Sequence, residues 1–262
     1  MEQRMRKLTV VTGALAMLLA VAACGGSATG AAAAGGDGGT LTLAAALEAQ
    51  PWDLADAGLG DNIQYYEPVF DSLVRLSPQG NPEPYLATSW SYDSTRTVLT
   101  MHLRTGVTFT DGTPLNAVAV RDNLLHTETG SNEAASMLKS ITGVDVVNPT
   151  TVAIHLSAPD PNLVDSLGDV SGMIASPKHL TAKNGPVGSG PYILDESATT
   201  PGSAYTYTRN PGYWNKKAFP FNKIVVETMT DATARLNALM SGQVEWGRIN
   251  TPDVSQVKGN GL

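Results

Sequence analysis

The chain has 262 residues, 42% of them apolar, with 24 acidic against 17 basic side chains and a formal net charge of −7. That acidic balance argues against a nucleic-acid surface and against a polybasic membrane patch. A single cysteine excludes an intrachain disulfide, so stability must come from a hydrophobic core, and the length allows one domain or two smaller ones.

Arg4, Arg6 and Lys7 form a positive start, Leu8 to Val21 an apolar run, and Val21-Ala22-Ala23-Cys24 a small-residue junction, the order of a secretory signal peptide. The junction also matches the bacterial lipobox. A transmembrane helix needs about 20 apolar residues, and this run is shorter and interrupted by Thr9, Thr12 and Gly13. Residues 1–23 are therefore expected to be removed. Cys24 would become a diacylated N-terminus on the outer face of the cytoplasmic membrane; ordinary cleavage with Cys24 incidental is the alternative. Loss of three cations and Glu2 moves the net charge from −7 to −9. Residues 24–39, mostly glycine, alanine and serine, offer nothing to bury and read as a flexible tether.

Thr40 to Leu47 begins with alternating Leu41 and Leu43, the period of a strand. Between Asn62 and Leu73, apolar Ile63, Tyr66, Phe70 and Leu73 recur at spacings of three and four. This predicts a helix with one buried face and Pro68 near its first turn or at a kink. Leu99, Met101 and Leu103 define one face of a strand over 97–104, and Asp111-Gly112 marks a tight turn. Asn116 is placed to cap a helix carrying Val120, Leu124 and Leu125 on one side. Gly143–Val147 and Thr151–Leu156 flank Asn148-Pro149 as a hairpin. Pro177 opens a short helix; 188–194, 204–209 and 223–227 read as strands, and Asn210-Pro211-Gly212 closes a turn. Asp231 caps a helix with Leu236, Leu239 and Met240 on one face and Gly242 at its C-cap, after which 243–246 is extended. The fold class is mixed α and β.

Catalytic chemistry is thinly signalled. His102, His126, His155 and His179 show no i, i+4 pair, so no metal site and no cofactor are expected. Gly188-Ser189-Gly190 lacks the spacing of a nucleophile elbow and reads as backbone that must bend between layers. Asp111 and Asp169 would serve an acid/base pair only if the fold brought them together; Asp111 also suits a turn. The segment Asp61-Asn62-Ile63-Gln64-Tyr65-Tyr66-Glu67 mixes flat apolar rings with donors and acceptors, the composition of a small-ligand pocket. Tyr65 stands out there as a contact, while Tyr66 lies on the apolar phase. Trp90, Trp214 and Trp246 follow strands or turns and are expected to pack; Trp52 lies in a more open loop.

Four segments carry a family resemblance. Val69-Phe70-Asp71-Ser72-Leu73-Val74 followed by Asn81-Pro82-Glu83-Pro84-Tyr85-Leu86-Ala87-Thr88-Ser89-Trp90 resembles the early mature region of family 5 extracellular solute-binding proteins. Leu99 to Leu115 is similar to the family's LR-x-G-V-x-F-x-D-G-T-P stretch, Pro186 to Tyr192 to its P-x-G-T-G-P-Y turn, and Arg209 to Trp214 to its R-N-x-x-Y-W. Two local departures are Trp52-Asp53-Leu54, where Leu-Asp-Pro is common, and Ala117-Val118-Ala119, where acidic residues usually open the helix.

The resemblance implies a lobe of the type II periplasmic-binding-protein kind. Residues 40–72 and 187–262 would form that lobe, and 73–186 a β-rich subdomain inserted in it. The opposing lobe is missing, so the chain is expected to be the N-terminal half of a longer protein. It implies a non-enzymatic, monomeric substrate-binding lipoprotein that delivers peptides or a similar small solute to an ABC permease, closing two lobes on the ligand. Ligand contacts would include Tyr65, Asn62, Gln64 and Trp52. Two other classes stand beside it: a secreted carboxylate-dependent hydrolase, and a sensor or adhesion protein reusing the binding fold.

Overall fold

A computed structural model describes residues 38–259. The expected signal segment, Cys24 and all but the end of the tether lie outside these residues. Gly38 and Gly39 are not free: Gly38 N donates to the Pro220 carbonyl at 3.0 Å and Asn222 N to the Gly39 carbonyl at 2.9 Å. Hydrogen bonding to the fold thus takes in the last two residues of the segment read as tether.

Strand β1 (Thr40–Ala45) is followed by a loop with two short 3-10 turns and then by α1 (Ile63–Tyr66), a single helical turn. The helix expected over 62–73 therefore stops at its first turn. Pro68 has no N–H to continue it, and the carbonyls of Pro68 and Val69 instead accept from Tyr192 N and Gly190 N, both at 2.8 Å. Tyr66, Phe70 and Leu73 are buried as their spacing implied, but by a turn and an extended segment rather than by a helix.

Strands β2 (Val74–Leu76) and β3 (Pro82–Pro84) pair with each other. Next come β4 (Ala87–Tyr92), β5 (Val98–Leu103), α2 (Ala117–Glu128), α3 (Glu133–Ser136), β6 (Ile141–Asn148), β7 (Thr151–Leu156) and α4 (Leu163–Ser166). The sheet is antiparallel in the order β4-β5-β7-β6. Leu99, Met101 and Leu103 of β5 pack with Val152, Ile154, Val120 and Leu124 in one core; full burial of side chains this size is worth about 1.5–3 kcal/mol each. Asn116 Oδ1 accepts from Ala119 N at 3.0 Å, the expected N-cap. Leu125 departs from the reading and is exposed, since α2 buries a stripe on the side of Val120 and Leu124.

The chain continues through β8 (Tyr192–Leu194), β9 (Ala204–Arg209), β10 (Lys223–Thr228), α5 (Ala232–Ser241), β11 (Trp246–Gly247) and α6 (Val254–Gly259). These later strands join β1 in a five-stranded mixed sheet, order β11-β1-β10-β9-β8. β1 runs parallel to both β10 and β11, with Leu41 opposite Ile224 and Leu43 opposite Trp246. The strand expected over 188–194 is confined to 192–194; Gly188 makes only an isolated bridge to Ala175. Trp246, expected to pack, is 50% exposed because β11 is an edge of two residues.

Where the two sheets meet, one carboxylate gathers the conspicuous segments. Asp71, 1% exposed, accepts from Ser189 Oγ (2.9 Å), Tyr213 Oη (3.0 Å) and Trp214 Nε1 (3.1 Å). Tyr85 Oη lies 2.7 Å from Tyr213 Oη, and Arg104 sits over the Trp214 ring at 4.1 Å while its Nε donates to the Tyr85 carbonyl. Burial pushes the Asp71 carboxyl up, and the hydrogen bonds from Tyr85, Trp214, Ser189 and Tyr213 pull against that rise. Gly188 and Gly190 admit the Val69 backbone: a Cβ at Gly188 would stand 2.0 Å from Val69 O. Close approach of two backbones is why glycine is needed there.

Candidate functional site at the carboxyl edge of the mixed sheet

β1, β10 and β11 are parallel, so Ala45, Thr228 and Gly247 end on one edge, where β8 also ends and antiparallel β9 begins. Loops at the carboxyl edge of such sheets converge on a crevice. Here the loop after β1 exposes Leu47 and Glu48. It is tied to the end of β10 by Tyr65, whose hydroxyl donates to the Leu47 carbonyl at 2.9 Å and lies 3.0 Å from Thr228 Oγ1. Tyr66 Oη donates to the Pro51 carbonyl and Tyr207 Oη to the Tyr65 carbonyl. Burial raises all three phenols above the ordinary tyrosine value.

Arg235 of α5 sets the other two loops. Its side chain is buried, with Nη1 donating to the carbonyls of Met229 (2.6 Å) and Thr230 (2.9 Å) and Nε to that of Arg248 (3.1 Å). One planar guanidinium thereby fixes the exits of β10 and β11. The sequence reading missed it, although Arg235 precedes Leu239 by four residues and so shares the helix face turned to the sheet. Arg235→Met, which keeps the bulk and removes three charged hydrogen bonds, is expected to cost about 2–3 kcal/mol. The urea midpoint and faster amide exchange beside residues 229, 230 and 248 would register it. Arg248 also pairs with Asp61; with Arg248 64% exposed, that bridge adds at most about 1 kcal/mol.

The four sequence-derived contacts divide. Tyr65 is fully buried, and Asn62 and Gln64 are 2% and 8% exposed. Tyr65 packs its ring against Tyr205 at 5.1 Å, and Gln64 Nε2 donates to the Asp61 carbonyl. Trp52 is half-buried, edge-on to Tyr66 (5.7 Å) and Tyr205 (6.1 Å). Gln50 Oε1 and Asn62 Oδ1 are buried with no hydrogen-bond partner, and both belong to the segment between β1 and α1. Such orphaned acceptors are rare and mark a place to look for function. Each carboxylate of the hydrolytic pairing has partners of its own. Asp111 accepts from Ser176 Oγ (2.7 Å) and Thr113 N (2.8 Å), and Asp169 accepts from Val170 N. Although desolvation works the other way, those bonds hold Asp111 below the usual carboxylate range. Among the described residues, no group of three or more potential metal ligands comes together.

Residues 81–262 match the bacterial extracellular solute-binding proteins, family 5. The chain belongs to that family. The glutathione-binding protein GsiB of Shigella flexneri is 29% identical over 185 residues, which are 68% of this chain and 36% of GsiB. The chain therefore spans about a third of the length of the curated relatives it matches. Among solved structures, the periplasmic binding protein DppA from Helicobacter pylori, in complex with peptide STSA, superposes with a TM-score of 0.70 at 23% identity, over 86% of this chain and 49% of DppA. OppA of Burkholderia pseudomallei gives 0.75 at 15% identity with the same coverage. The mixed α/β architecture is that of part of a periplasmic binding protein, and the family is one of binding proteins.

Proposed function

We propose that this family 5 protein is the substrate-binding component of an ABC importer. It captures peptides or a similar small solute at the carboxyl edge of its mixed sheet and, as a monomer, hands it to a membrane permease. The observation that carries this reading is the family match over residues 81–262, joined to an edge where three post-strand loops are held by Tyr65 and Arg235. One relative was solved with a bound peptide and another is named for glutathione, which supports peptide-like ligands here. Coverage of about half of the solved neighbours supports a site with one wall in this chain and the other in an opposing lobe, closed by ligand. We include Trp52 in this wall, with Asn62 and Gln64 reached by movement of the loop that carries them.

Titration of the isotope-labelled chain with di- to pentapeptides, followed by magnetic resonance, tests the reading. Shifts confined to residues 47–52, 228–230 and 248–250 are expected, weak because one wall acts alone; shifts centred on the four-stranded sheet, or turnover of peptide, would overturn it.

Cys24 is proposed as the lipid anchor, the protein standing outside the cytoplasmic membrane on the tether. Two acyl chains suffice for stable anchoring. Cys24→Ser should abolish incorporation of labelled fatty acid and move the protein from the membrane fraction to the soluble one.

A further inference from the structure

A cavity at the far end of this edge has walls of a distinct chemistry. It measures about 350 Å³ and is lined by Trp52, Tyr205, Leu194, Pro186, Pro201 and Glu196 among others. Tyr205 is fixed between Trp52 and Tyr65, and its hydroxyl accepts from Gly202 N at 3.2 Å. Glu196 supplies the charge. None of the ion pairs among the described residues involves it. Gly185, at φ 82°, would with a Cβ come within 2.3 Å of Glu196 Oε1, so its missing side chain is what lets the carboxylate lie against this wall. Thr199 Oγ1, also on the lining, already accepts from Thr206 N.

A primary ammonium brings three N–H donors that are best met by several converging acceptors, whereas this lining has Glu196 as its one charged residue and is otherwise mostly aromatic, aliphatic and proline surface. A methylated ammonium makes no such demand and is attracted by aromatic rings through their quadrupoles. We propose that this pocket binds a quaternary ammonium group, the cationic head of a small solute, with Trp52 and Tyr205 as aromatic wall and Glu196 as counter-charge. The inference rests on reading the carboxyl edge as a solute site and names the head group that one end of it selects.

Choline and its uncharged isostere 3,3-dimethylbutan-1-ol are the probes, titrated into the labelled full chain in detergent with the Trp52 indole N–H as reporter. Choline should shift that signal saturably, and the isostere should bind at least about tenfold more weakly. Glu196→Gln, at an exposed position, should weaken choline about tenfold and leave the urea midpoint unchanged. No saturable choline shift at Trp52, equal binding of the isostere, or unaltered binding by Glu196→Gln would each overturn the proposal. Peptide shifts at 228–230 and 248–250 without a choline effect would remove this proposal and leave the importer reading standing. A choline effect without peptide shifts would restrict the solute to the cationic class.

Discussion

Asp71→Ala is expected to lower stability by about 3–5 kcal/mol, because each buried donor left without a partner costs about 1–3 kcal/mol. Three donors from two distant segments, Ser189, Tyr213 and Trp214, end on that one carboxylate. Tyr213 retains its contact with Tyr85, which keeps the sum below three full penalties. The loss should appear as a lower urea midpoint, with weakened exchange protection on both sides of the junction. A shift smaller than that of a surface substitution would mean that water replaces the carboxylate. The pH dependence has a definite sign. Burial raises the folded carboxyl above its unfolded value, so its contribution is full below the unfolded value and declines as pH rises through the folded one. The alanine variant should lack that decline.

Gly188→Ala is expected to destabilise by about 3 kcal/mol or more, at or beyond the upper end of the usual range for overpacking. The new Cβ would meet a carbonyl oxygen at 2.0 Å, and Val69 O is held in place by Gly190 N. No flexible side chain is available to give way. Gly143→Ala is the matched control: a Cβ there has nothing within 4 Å, and its effect should be near zero or slightly stabilising, since alanine restricts the unfolded chain. Parallel urea titrations decide the matter; equal midpoints for the two variants would show that the 69–71 segment is able to retreat from the glycine turn.

Local signals were readable wherever a residue acts on its own neighbours. Asn116 and Asp231 cap their helices through Ala119 N and Ala234 N, and the alternation in 98–103 is the alternation of burial. Gly242 closes α5 in the left-handed region, as its position after the last turn implied. What escaped were features decided by distant parts of the chain. The spacing of Tyr66, Phe70 and Leu73 is helical, yet residues 68 and 69 give their carbonyls to residues 192 and 190. Tyr65 reads as a ligand aromatic because its neighbours are polar, and it is buried because Tyr205 and Thr228 come from elsewhere in the sequence. Arg235 went unread because nothing adjacent announces the three carbonyls that it meets. For the candidate site, the loop after β1 is singled out by composition and resemblance, whereas the pairing of that loop with residues 228–230 and 248 required the sheet.

The position of β1 between two later strands also dictates an order of events. Thr42 N donates to the side chain of Glu245, 203 residues further on, while in the antiparallel sheet β4 pairs with β5 and β6 with β7, each the next strand in sequence, and β5 reaches β7 across the α2 to β6 segment, a much shorter span. Contacts of long separation form slowly because loop closure comes before any gain from pairing. The antiparallel sheet is therefore expected to form first, which pulse-labelled amide exchange during refolding would check. β1, first of the described strands to be synthesised, is then expected among the last to find its partners. Through that interval its two free edges and its leucines are open to any other strand, so the time before β10 and β11 are in place is when this protein is most exposed to misassembly.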